Sequence, residues 1–161
     1  MDIGMSDLLE LAQTVVGSAK INFVKQSAGE FRVFSDGKIG GELEQSINVD
    51  HTIANDEVTA KVQFSLVCKD ADEGDRPVLS INAVFFASYR LKKEFSEQEI
   101  DAFARVGSAY NCWPFWREYV HGSCCRLQIP PLTAPLMTAR EFANLVANQS
   151  PEANDSDSAT A

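Results

Sequence analysis

Three features of the sequence predict an α+β fold, a four-stranded antiparallel sheet with two C-terminal helices packed on one face. Apolar residues recur with period two through most of the stretch from Ala19 to Leu91, and at helical spacing after Ser96. The strands come as a block with the helices behind them, and lack the strand–helix alternation that builds parallel sheets. A short amphipathic helix stands in front of the block.

That first helix is read over residues 6–18, where Leu8, Leu11, Ala12, Val15 and Val16 fall near one face and Gly17 is placed to end it. In the first strand Ala19, Ile21 and Phe23 alternate with Lys20 and Asn22, and a ragged continuation runs through Phe31 and Val33. In the second, Leu43, Ile47, Val49 and Ile53 share a face with Gln45 and His51, while Glu42, Glu44 and Asp50 share a wet, acidic one. The third is the clearest: Val58, Ala60, Val62, Phe64, Leu66 and Cys68 alternate with polar residues. In the fourth, Leu79, Ile81, Ala83, Phe85, Ala87, Tyr89 and Leu91 share one side, yet Val84 and Phe86 make the other side apolar too. This marks a central strand, or one with something besides its own helices over part of its second face.

Ser96 and Glu99 form a capping box, from which Ile100, Phe103, Ala104 and Tyr110 recur at helical spacing. Trp113-Pro114 reads as a second helix start, since proline suits the first helical position. The apolar stripe of Phe115, Trp116, Tyr119, Val120, Ser123, Cys124 and Leu127 ends at Pro130-Pro131. An apolar extended loop comes next, then a helix opened by a Thr138–Glu141 capping box, and a small, acidic tail expected to be disordered. Residues 1–148 therefore read as one domain: the first helix, strands over 19–93, a helical region over 96–128, the loop at 129–137 and a final helix at 138–148, with the tail at 149–161.

A domain of this size buries about 68–70% of its unfolded surface, enough for an ordinary core without metal or disulfide staples. The charge of −9 argues against nucleic acid, whose affinity rests on Lys and Arg neutralising phosphates. No stretch approaches the ~20 apolar residues of a membrane span. The acidic start, MDIGMSDLLELAQ, lacks signal-peptide features, and four cysteines, two of them adjacent, do not resemble a secreted disulfide framework. A cytoplasmic protein with reduced thiols is expected.

His121 stands one turn from Cys124 and Cys125. No second ligand pair lies at a usable spacing, so no metal is expected. A small ligand-binding α+β domain or a thiol enzyme using Cys124, Cys125 or His121 is the alternative reading; neither His121 nor His51 has an evident orienting carboxylate. The aromatics Phe85, Phe86, Tyr89, Trp113, Phe115, Trp116 and Tyr119 are dense for a domain this small. Surplus apolar area of this kind marks self-association or a binding groove.

Gly107–Tyr110 (GSAY), Trp113–Glu118 (WPFWRE) and Cys125–Leu132 (CRLQIPPL), followed by Ala-Pro-Leu and a short last helix, resemble the SecB family of protein-export chaperones. The resemblance implies a four-stranded sheet with two helices on one face, assembled as a tetramer that is a dimer of dimers. It implies ATP-independent, cofactor-free holding of unfolded polypeptide clients in aromatic-lined grooves. The groove residues by this likeness are Phe85, Tyr89, Trp113, Trp116, Ile129, Leu132, Leu136 and Met137. Export members meet the translocation motor ATPase through acidic residues on the outer faces of the first and last strands. Here those strands offer Lys20, Lys25, Gln26, Ser80, Asn82 and Ser88, and the candidate partner-binding acidic face is Glu42, Glu44 and Asp50 on the second strand. That departure and the extra N-terminal helix resemble SecB-like relatives that hold a dedicated client, such as the antitoxin of a toxin–antitoxin module.

Overall fold

The computed structural model describes residues 5–34, 37–132, 134 and 137–147. The elements are α1 (Met5–Val16), β1 (Ala19–Val33), β2 (Ile39–Ala54), β3 (Glu57–Asp70), β4 (Pro77–Leu91), α2 (Glu97–Leu127) and α3 (Ala139–Ala147). The four strands form one antiparallel sheet in the order β1-β4-β3-β2. Its strands thus include two central ones, and β4, with apolar residues on both faces, is one of them. The helices cover one face, and the core lies between them and the odd-numbered side chains of β4 and their cross-strand neighbours.

β3 follows the alternation closely: all six of its predicted inward residues are buried. β1 does not. The register slips between Ile21 and Phe23 and again between Gln26 and Ala28, so each slip is a bulge. A bulge of one residue reverses the facing of the residues after it. Ile21 faces the helices, Phe23 is turned outward opposite Ser88, and Val24 faces the helices again opposite Ala87. The second bulge restores the original phase, so Gly29, Phe31 and Val33 face the helix side. Simple alternation puts Phe23 on that side, and the first bulge is the reason it is not there.

Pro114 also departs from expectation. Rather than opening a new helix, it lies inside α2, which runs 31 residues from Ser96 to a left-handed cap at Gln128. Proline gives up the hydrogen bond to the Tyr110 carbonyl, and an interior proline costs about 3 kcal/mol. Burial on both sides of it offsets that cost: Ala109, Cys112, Trp113 and Trp116 are all packed in the core. Both capping boxes form as expected, with Ser96 and Glu99 exchanging hydrogen bonds at 2.8 and 3.3 Å, and Thr138 and Glu141 at 2.6 and 3.3 Å. The acidic tail lies outside the described residues.

Candidate functional site

The long helix α2 has two working faces. One is clamped on the sheet by a run of rings. Phe64 of β3 stacks on Trp116 at 5.3 Å and meets Phe85 edge-on at 5.8 Å and Trp113 at 5.7 Å. Trp113 in turn meets Phe142 of α3 edge-on at 5.2 Å, and Tyr89 meets Phe103 at 4.9 Å. The other face turns toward β1, the edge strand that α2 barely touches.

The eight groove residues divide accordingly. Phe85, Tyr89, Trp113 and Trp116 are only 2, 2, 4 and 1% exposed, so they belong to the core and do not form an open aromatic wall. They lie where α2 meets the central strands, and that contact consumes them. Ile129, Leu132 and Met137 are half-buried against the core, while Leu136 lies outside the described residues. The loop that carries them is pinned from α2: Arg117 Nε donates to the Ala134 carbonyl at 2.8 Å, and the Leu132 N–H reaches Cys124 Sγ at 3.4 Å.

The open apolar surface is made by other residues. Two grooves lie along the inner side of β1. The first, of about 420 Å³, sits between α1, the start of β1 and the first half of α2. Its walls include Leu9, Val16, Ile21, Val106 and Tyr110, and Tyr89 lines it as well. Gln13 and Asn111 bring amide groups to it, and Asn111 Nδ2 donates to the Tyr89 hydroxyl at 3.0 Å. The second, of about 390 Å³, lies between β1 and the later half of α2 and is mixed, with Val24, Phe85, Phe115 and Tyr119 beside Gln26, Glu118, His121 and Arg126. Val16, Ile21, Tyr110 and Phe115 are 57, 47, 51 and 46% exposed, unusual for side chains of this size. Sequence reasoning assigns Ile21, Val16 and Phe115 to packed faces. The missing information is strand order: with β1 at the edge, the helix layer covers it only in part.

The thiol chemistry considered from the sequence is dispersed. Cys112 is enclosed by apolar neighbours, and burial pushes its thiol up to about 12. Cys124 is also buried, whereas Cys125 is exposed with its sulfur 3.9 Å from His121 Nε2. His51 lies 3.8 Å from Asp101, on the β2 side of α2. Among the described residues no group of three His, Cys, Asp or Glu side chains could hold a metal ion. On β2, Glu44 and Asp50 share the face turned away from the helices, where Glu44 is bound to Lys69 at 2.5 Å and Asp50 is half-buried opposite Lys61, and Glu42 is exposed. No helix among the described residues is long and apolar enough to cross a membrane.

No protein-family model matches this sequence, and no curated protein does. The fold does have solved counterparts. This is an α+β protein of the SecB-like chaperone fold. The Rv1957 SecB-like chaperone of Mycobacterium tuberculosis, solved with a ChAD peptide from the Rv1956 HigA1 antitoxin, superposes with a TM-score of 0.70 at 18% identity, covering 80% of this chain and 97% of that one. A protein of unknown function from Streptococcus agalactiae matches over 73% of this chain and 97% of its own at a TM-score of 0.39 and 10% identity, too distant to carry an argument.

Proposed function

We propose that this protein is a holdase chaperone that binds unfolded or non-native polypeptide without ATP or another cofactor. The observation that carries the proposal is the partly uncovered inner side of β1, where one apolar groove and a second of mixed lining are bordered by exposed Ile21, Tyr110 and Phe115. Such a surface accepts apolar side chains with little regard to sequence, and a strand edge beside it can pair with an extended backbone. The buried rings of Trp113 and Trp116 serve as a rigid backing, Phe85 and Tyr89 as floor, and the 129–137 loop as a further wall.

Within that role we favour a dedicated client over general export. One solved counterpart is a SecB-like chaperone in complex with an antitoxin peptide, and the outer face of β1 carries Lys20 and Lys25 where export members carry acids for the translocation motor ATPase. The working form is a cytoplasmic homotetramer, a dimer of dimers, with residues 1–148 as its unit. An edge of fifteen residues on β1 and the exposed Tyr110 and Phe115 of α2 provide the area for assembly.

The test is suppression of aggregation of a chemically unfolded model client, read by light scattering without nucleotide, with oligomeric state measured alongside. Suppression near stoichiometric ratio is expected, and it should weaken in Tyr110→Ser and Phe115→Ser with unchanged unfolding midpoints. A monomer that suppresses nothing would sink the proposal. Pull-down of a neighbouring antitoxin against the motor ATPase separates the two kinds of client service. If Cys124→Ser or His121→Ala abolished activity while the fold survived, the thiol or ligand-binding reading would replace this one.

A further inference from the structure

The sheet face turned away from the helices carries a local pattern at odds with the chain's overall charge. On β4 it presents Val84 and Phe86, both half-buried although no helix among the described residues covers them. The first bulge of β1 adds Phe23, 45% exposed and opposite Ser88, a diagonal neighbour of Phe86. Lys25 stands directly opposite Phe86 on one side and Lys61 on the other. Lys20 follows along β1, opposite Arg90.

Arg90 has Asp56 at 3.6 Å, but Lys20, Lys25 and Lys61 make no ion pair with any described residue. Against them stand Asp50, the cross-strand neighbour of Lys61 on β2, and Glu57, which lies opposite Arg90 and accepts from the Ser88 hydroxyl at 2.8 Å, so the excess of positive charge is centred on Lys20 and Lys25 of β1. Neither flanking ammonium sits over the Phe86 ring, unlike Lys93, which covers Phe95 at 4.8 Å. Elsewhere on this face cations are matched, as Lys69 is by Glu44 and Arg32 by Glu30. In a chain of net charge −9, an excess of cations gathered around two rings that no helix covers forms a patch complementary to something else.

We propose that this patch, on the outer face of β1, β4 and β3, docks an acidic peptide segment of a partner protein. Its carboxylates meet Lys25 and Lys61 while an apolar side chain between them covers Phe86 and Phe23. The two lysines stand two strands apart, about 9.5 Å, which an extended peptide spans in about three residues. Nucleic acid fits less well, because a long polyanion meets the repulsion of the whole acidic molecule, whereas a short peptide meets mainly the patch. A second copy fits less well too, since the acidic side of this face already has Glu44 engaged with Lys69. The patch lies across the sheet from the grooves, so a partner can dock while the grooves are filled, whatever fills them.

The test uses the full chain and two labelled synthetic heptapeptides, one with Asp and Glu bracketing a central Phe, the other with Asn and Gln in their place. Fluorescence anisotropy should show binding of the acidic peptide only, weakened on going from about 20 to about 300 mM NaCl. The double variant Lys25→Glu/Lys61→Glu should weaken it by about tenfold or more, and Phe23→Ser, at an exposed position, should weaken it without moving the unfolding midpoint. Equal binding of both peptides overturns the proposal. So does undiminished binding by the double variant, which would leave the lysines as shields of Phe86. Self-association of the unliganded chain that the double variant abolishes also overturns it, since the occupant would then be a second copy.

Discussion

Cys112 and Cys125 share one helix and occupy opposite chemical situations. Cys112 is sealed beneath the helix with its thiol held protonated by burial, up to about 12, and Cys125 is open to solvent beside His121. Only a thiolate reacts quickly with alkylating reagents. Native protein should therefore label at one thiol per chain, Cys125, and at all four only in denaturant, as mass spectrometry after brief maleimide treatment would show. Rapid native labelling of Cys68, Cys112 or Cys124 would contradict the packing. Asp70 is a different case. Its Oδ1 accepts from the N–H groups of Asp72 at 2.8 Å and Glu73 at 3.3 Å, and Arg76 bonds its Oδ2 at 2.8 Å. The Asp72 amide is the chief reason that its carboxyl lies below the ordinary carboxylate range. A depressed folded pKa means that the stabilisation is complete above the ordinary value, about 3.9, and is lost as pH falls through the lower folded value. Asp70→Asn should lower the Tm at pH 7, and the gap to wild type should narrow in calorimetric scans below about pH 4. A gap that stays constant with pH would show that the charge is not what matters.

Among the elements, β3 and both capping boxes can be read straight from the residues, because each depends only on neighbours in sequence. β1 and α2 cannot. The bulges at Asn22 and Ser27 are set by how β1 fits β4, and alternation carries no trace of them, so it puts Phe23 on the wrong face. Pro114 looks like a helix start because local preference says so, but the rings of Trp113 and Trp116 gain more by staying in one continuous packed surface. The candidate site is legible in part: the segment 113–137 does carry the aromatic backing and the apolar loop. Which rings are open is not legible, because it turns on strand order. The loop's dependence on α2 is directly testable. Arg117→Ala removes the 2.8 Å bond to Ala134 while leaving the helix its other contacts. Limited proteolysis should then cut within residues 128–137 several-fold faster, about the effect of losing one structural hydrogen bond, with far-UV CD unchanged. Equal cleavage rates would mean that apolar packing alone holds the loop.

At the scale of the whole molecule, apolar association works against a charge of −9 on every chain. Any oligomer built on Tyr110 and Phe115 of α2 or on the β1 edge brings like charges together, and added salt screens them. Light scattering at low protein concentration should show the assembled fraction rising between about 20 and about 300 mM NaCl; a fall would mean that ion pairs, not apolar contact, hold the copies together. A holdase of the kind proposed above would also need a safeguard against being recruited into the aggregates it meets. The mismatch of β1 provides one. Its fifteen residues run against thirteen of β4, so about 7 Å of surplus contour is taken up as curvature along the free margin. An intruding strand finds at most the six residues 28–33 in unbroken register before it meets a bend. The edge is long enough to grip a chain and too crooked to template one.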